Sequence, residues 1–105
     1  MNAPPAGVQS VSKLCEDAIG ANSNMLVPWY LILSYLYYIR DINIVGDHVF
    51  DNICVRLLSE WDTISHRHKH LICYESLKAG TGYYLTEDAY PEIVKGASLQ
   101  LLKMH

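Results

Sequence analysis

The stretch Met25–Ile39 constrains this chain most: it is apolar on nearly every side, yet it holds four tyrosines and is only about 15 residues long. A helix that crosses a bilayer needs roughly 20 apolar residues, so this run is expected to be a buried core helix. A helix apolar all round must be covered on most sides by neighbours, by a ligand or by a partner. Pro28 suits a first-turn position, where its missing N–H has no intrahelical partner to lose. The helix is therefore expected from about Pro28 to Arg40.

The flanking segments supply the cover. Ser10 can cap a helix whose apolar positions Val11, Leu14, Cys15, Ala18 and Ile19 follow the 3.6-residue period, with Gly20 ending it and Ala21–Asn24 as a polar turn. Met1–Gln9, with Pro4, Pro5 and Gly7, reads as a flexible lead-in. After the connector Asp41–Gly46, Asp47 is a good N-cap. Val49, Phe50, Ile53, Cys54, Leu57, Leu58 and Trp61 then form one apolar stripe, with Asn52, Arg56, Ser59 and Glu60 largely on the other side.

Asp62–His70 breaks the pattern, and Leu71–Leu77 reads as a short helix. Gly80–Gly82 is a flexible turn and Tyr83–Leu85 a short extended piece. A last helix begins at Thr86 or nearer Pro91 and runs to about Leu102, with Gly96 as a weak point. The expectation is one all-α domain, a small bundle of four or five helices around a central hairpin spanning 28–61.

Size and charge agree with a single small domain. At 105 residues, half hydrophobic and 18% charged, the chain can bury one core and is not a disordered polymer. Its net charge of −3 gives no global attraction to nucleic acid or to an anionic membrane. Cys15, Cys54 and Cys73 are odd in number and far apart, without a CxxC pair, which reads as three small buried thiols in a reducing cytoplasm. Met1–Gly7 lacks the basic start and apolar stretch of a signal peptide.

The run from Tyr35 to Asp51 carries the most specific pattern. It resembles the N-terminal helical subdomain, domain Ia, of NAD-dependent DNA ligases, whose pattern reads roughly Y-x-Y-H-x-x-D-x-P-x-I-x-D-x-x-Y-D-x-L. Tyr35, Tyr37, Asp41, Asp47 and Asp51 match it without a gap. Val45, Phe50 and Ile53 stand for its isoleucine, second tyrosine and leucine, while Tyr38 replaces histidine and Asn43 replaces proline. The resemblance covers about 30 residues.

In that family the subdomain grips the nicotinamide mononucleotide half of NAD. The nicotinamide ring of NAD is a flat cation, stabilised by aromatic faces and nearby carboxylates. The resemblance implies that Tyr37 and Phe50 stack on the ring and that Asp47 and Asp51 hold the nicotinamide and its ribose. Tyr38 then fills the place of the histidine. Asp47 and Asp51 are four apart and share a helix face, with Phe50 offset from Asp51 by about 100°. Tyr37 and Phe50 are equally readable as core aromatics, Asp47 as a cap and Asp51 as a solvated carboxylate favoured by the helix dipole.

A ligase also needs a nucleophilic lysine in a K-x-D-G motif. None of Lys13, Lys69, Lys78, Lys95 and Lys103 begins one, so no self-contained ligase activity is expected. No other catalytic motif stands out, and the chain reads as a non-enzyme.

Three further features remain. His66, His68 and His70 alternate, a weak metal set that shares one side only if the segment is extended. The plainer reading is a solvated basic loop that meets a phosphate or an acidic partner more strongly below about pH 6.5. Gly80-Thr81-Gly82 is not a phosphate loop, because no G-K-[ST] follows. Tyr83, Tyr84 and Tyr90 form either an aromatic surface for a protein partner or core packing against the earlier tyrosines.

These features leave two functional expectations. One is a stand-alone, non-catalytic module that binds nicotinamide mononucleotide or NAD, or serves beside a separate enzyme. The other is a protein-interaction module that uses the hairpin as a scaffold, with self-association through the tyrosine-rich helix as one form. A small orphan copy of an enzyme subdomain would suit an accessory or host-modulating protein of a phage or mobile element. Direct nucleic-acid binding and membrane insertion are not expected.

Overall fold

The computed structural model describes residues 6–79 and 85–104. Five α-helices are present among them: α1 (Ala6–Ala21), α2 (Leu26–Ser34), α3 (Asp47–Ser59), α4 (Tyr74–Lys78) and α5 (Glu92–Met104). Short 3₁₀ turns fall at Ser23–Met25, Lys69–Leu71 and Glu87–Ala89, and Tyr35–Ile39 forms a π-turn that continues α2. There is no strand among the described residues, as the all-α reading expects.

The apolar run is the centre of the molecule. Every residue of α2 except Pro28 is buried, and the helix packs against both α3 and α5. Its hydrophobic surface is thus covered within the chain and needs no second copy to cover it. α1 contributes Val11, Cys15 and Ile19, which recur every four residues and keep one face on the core. Leu14, expected in that stripe, is instead 41% exposed. On α3 the apolar stripe behaves as its period requires: Val49, Ile53, Cys54 and Leu57 are buried, and Phe50, Leu58 and Trp61 pack at their edge. α5 adds Val94, Ser98 and Leu101.

Several boundaries differ from those that the sequence pattern predicts. α1 already includes Ala6–Gln9, which the composition assigns to the lead-in, and it runs through Gly20 to Ala21. The next helix starts before Pro28, after a 3₁₀ turn at whose head the Asn22 side chain accepts the Asn24 N–H at 3.0 Å. The last helix takes the later of its two expected starts and passes through Gly96 unbroken. The predicted Gly80–Gly82 turn and the Tyr83-Tyr84 part of the extended piece lie outside the described residues.

Arg56 joins the ends of α1 and α3. Its guanidinium donates to the Ile19 carbonyl at 3.2 Å and to Ser23 Oγ at 3.1 Å, and its Nε donates to Glu60 at 3.0 Å. Ile19 lies in the last turn of α1, where carbonyls lack intrahelical partners, so a side chain from 37 residues away serves as a helix cap. The same guanidinium holds the Glu60 carboxyl below its usual pKa, with Ser23 adding to the effect. Among the described residues no helix is long and apolar enough to cross a membrane.

Candidate functional site

The end of α2 is where the regular helix gives way. The Arg40 N–H donates to the Tyr35 carbonyl at 3.2 Å, five residues back instead of four. Such a π-turn inserts one extra residue into the helix and rotates the residues beyond it by about 100° relative to an unbroken ladder. Tyr35 and Leu36 stay buried, whereas Tyr37 is 53% exposed and Tyr38 half-buried, their rings meeting edge to face with centroids 4.9 Å apart.

The chain then reverses at Asp41, which has a φ of 57°. Aspartate visits this left-handed region more readily than most residues. The turn lets the Ile42 N–H donate to the Leu36 carbonyl at 2.8 Å, a Schellman-like closure lengthened by the π insertion. Asn43, which stands where the ligase pattern has proline, shapes the next turn through its side chain by accepting the Val45 N–H at 3.3 Å. Ile44 and Val45 are buried, and the Gly46 N–H donates to Ser12 Oγ on α1 at 3.0 Å. The connector is therefore tied at both ends and pinned to the core in its middle.

These elements enclose a cleft of about 300 Å³. Tyr37, Tyr38, Phe50 and Asp51 all line it, together with Leu33 and the connector residues from Ile42 to Gly46. The four come from two helices and are brought together by the short connector between them. Phe50 is half-buried and stacks on Tyr30 with ring centroids 5.4 Å apart and planes inclined by 21°. Asp51 is exposed at the cleft.

Asp47 occupies the first helical position of α3, not the N-cap; Gly46 is the cap residue, with extended dihedrals and no side-chain cap bond. Gly46 lines the cleft, whereas the Asp47 side chain lies outside the described part of the structure. The arrangement offers a flat ligand aromatic surfaces, a carboxylate and a rim of connector residues held by hydrogen bonds. Asn43 and Ser12 escape the sequence reading as contributors: one acts through a local turn, the other through a contact 34 residues distant.

The histidines do not form a metal set. The backbone from His66 to His70 is a turn followed by a 3₁₀ turn, not the extended strand that would align them. His66 and His68 sit with ring centroids 5.5 Å apart, but His66 Nδ1 already accepts the His68 N–H at 3.1 Å. His70 Nδ1 faces the Arg67 carbonyl instead. No group of three metal-binding side chains occurs among the described residues.

Burial, together with the neighbouring charges, lowers the pKa of both His66 and His68. Their charge consequently appears only below the usual imidazole range. Lys69 is engaged as well: its ammonium donates to the Trp61 carbonyl and lies 4.6 Å from the centre of the Trp61 ring. Tyr90 is buried, edge-on to Tyr35 at 5.2 Å, so it belongs to the core and not to an aromatic surface. Tyr83 and Tyr84 lie outside the described residues.

A second hollow, of about 270 Å³, lies between the start of α2, the 66–68 loop and α5, with Met25, Pro28, Ile32 and Ile93 among its lining residues. No family model, no curated protein and no solved structure matches this chain.

Proposed function

We propose that this protein is a non-catalytic binding module whose cleft holds nicotinamide mononucleotide or NAD by the cationic nicotinamide ring. The observation that carries the reading is the convergence of Tyr37, Tyr38, Phe50 and Asp51 on one cleft. An aromatic lining stabilises a flat cation through the negative faces of its rings, and an exposed carboxylate beside it adds direct attraction. The cleft is at the small end of ligand sites, a size that suits one mononucleotide half and leaves the rest of a dinucleotide in solvent. Its rim is fixed by hydrogen bonds before any ligand arrives, which limits the ordering cost of binding.

Titration of the purified protein with nicotinamide mononucleotide and with NAD, read by calorimetry or by tyrosine and tryptophan fluorescence, tests this. Saturable binding of one ligand per chain, lost in Asp51→Ala and weakened in Tyr37→Ala, is the expected result. No response at millimolar ligand removes the reading.

A protein-interaction role is the second reading. It is favoured by Ile93, which is 71% exposed at the edge of the apolar hollow beside α5, and by Leu99, 47% exposed on the same helix. Light scattering with an Ile93→Asp variant tests its self-association form. A wild-type dimer that the variant converts to monomer supports that form, and a wild-type monomer counts against it.

A further inference from the structure

The hollow beside the histidine loop has apolar walls and a basic edge. Met25 and Pro28 at the start of α2, Ile32 one turn further on, and Val94 and Ala97 of α5 form its walls, with Ile93 at its edge. Pro28 is the one residue of α2 that is not buried. Ile93, 71% exposed, is the most exposed large hydrophobic side chain among the described residues. An open hollow of this kind keeps water against aliphatic surface, and an apolar occupant that displaces the water gains free energy.

The remaining wall brings charge of one sign. Among the described lining residues the only polar side chains are His66, Arg67 and His68, and no carboxylate is present. Arg67 is exposed and forms no ion pair among the described residues. Outside the lining, Glu92 next to Ile93 is paired with Lys95 at 3.6 Å, and Lys69 is committed to Trp61. His66 Nδ1 accepts the His68 N–H, so the neutral ring carries its proton on Nε2 and can donate from there. The Arg67 guanidinium is a planar fork that matches a carboxylate. Because it faces solvent, a carboxylate bound on it keeps part of its hydration and avoids the cost of a buried ion pair.

We propose that this hollow binds a medium-chain fatty acid, with the alkyl chain against Pro28, Ile32 and Val94 and the carboxylate on Arg67. Its volume of about 270 Å³ is at the lower limit of ligand sites, which suits one short alkyl chain and not a two-chain lipid. A second copy of the protein docked by the same face would set one Arg67 near the other, a repulsion that a carboxylate ligand turns into attraction. The hollow shares no lining residue with the cleft at the π-turn, so this inference stands apart from the nicotinamide reading.

The test is calorimetric titration of the intact chain at about pH 7.5, above the ordinary histidine range. The ligands are hexanoate, octanoate and decanoate, each kept below micelle formation, and the uncharged octanol. Saturable binding of one octanoate per chain is expected. Affinity should rise about two- to fourfold with each added methylene, fourfold being the gain for one that is fully buried. Arg67→Gln, at an exposed position, should weaken octanoate about two- to fivefold, the size of a solvent-facing ion pair, and leave octanol unchanged. Ala97→Leu, with its fold checked by circular dichroism, fills the hollow and should weaken both ligands about tenfold, as about two methylenes lose their place. Uptake that does not saturate, affinity that does not rise with chain length, or equal effects of Arg67→Gln on octanoate and octanol overturn the inference. Unchanged binding in Ala97→Leu overturns it too. A chain that binds none of these ligands overturns it, and if light scattering also shows a dimer, the hollow belongs to self-association.

Discussion

Phe50 lies almost face to face with Tyr30, the ring centroids 5.4 Å apart, and so one side chain, Phe50, both packs α3 onto α2 and lines the cleft. The two roles separate by substitution. Removing a fully buried phenylalanine costs about 3–5 kcal/mol, and Phe50 is only half-buried. Phe50→Ala is therefore expected to lose about 2 kcal/mol in urea unfolding together with ligand binding. Phe50→Leu should keep most of the stability, since it fills much of the volume, and still lose affinity, since it has no aromatic face to offer a cationic ring.

Asp41 is the hinge of the cleft, because its positive φ turns the chain from the π-turn into the connector. A residue without a short polar side chain is strained there by roughly 1–2 kcal/mol, and glycine is not. Asp41→Ala is expected to lower the urea midpoint by an amount equivalent to about 1 kcal/mol, while Asp41→Gly and Asp41→Asn stay close to the parent. Equal losses in all three would show that the carboxylate itself, and not the backbone conformation, is what the position requires.

Tyr90 and Ser34 form a buried polar pair, hydroxyl to hydroxyl at 3.0 Å, with the Ser34 Oγ also within 3.2 Å of the Leu31 carbonyl. Burial raises the Tyr90 pKa above its ordinary value, partly opposed by the Ser34 hydrogen bond. The stability this contributes is fully present below about pH 10, the unfolded value, and is lost as pH rises through the folded one. Cys15 and Cys54, pushed by burial from 9.0 to about 12, add a loss that begins nearer pH 9. Melting temperature should fall above that point. Tyr90→Phe should flatten only the part of the decline above about pH 10, at a cost near neutrality of about 1 kcal/mol for the lost hydrogen bond.

The three thiols should differ in reactivity. Cys15 and Cys54 are buried as expected, but Cys73, just ahead of the short helix α4, is partly accessible and not buried, and the amide and hydroxyl of Ser76 lower its pKa. Thiolate is the reactive form. An aromatic disulfide reagent at about pH 8, near the ordinary thiol pKa, is expected to modify Cys73 quickly and the other two only at the rate at which the protein opens. Three equal rates would contradict the packing of α1 and α3.

The elements most legible in the sequence are those with one buried face. The stripe from Val49 to Trp61 reads correctly because a single period of 3.6 residues sets its burial. The all-round apolar run reads correctly because nothing except enclosure suits it. The π-turn is not legible: Tyr35–Ile39 has no residue that signals a five-residue step, and the widening emerges where the chain must turn into the connector. The cap of α3 falls one residue earlier than expected, at Gly46, whose N–H is also held by Ser12 of α1, a contact that local pattern cannot show.

Polarity alone assigns Arg56 to the outer face, yet its long side chain reaches back to the end of α1. The histidine alternation suggests a metal set only on the assumption of a strand, which the turns of this segment do not provide. For the cleft itself, the motif singles out Tyr37, Tyr38, Phe50 and Asp51, whereas Asn43 and Ser12 act through backbone geometry that no motif carries.

The most direct test of the central claim is amide chemical-shift mapping of isotope-labelled protein titrated with nicotinamide mononucleotide. Saturable shifts concentrated in the segment from Tyr37 to Gly46 and at Phe50 and Asp51, absent in Asp51→Ala, are the result that a nicotinamide-binding cleft predicts. An unchanged spectrum at millimolar ligand, or shifts centred instead on Pro28, Ile32 and Ile93, would contradict it.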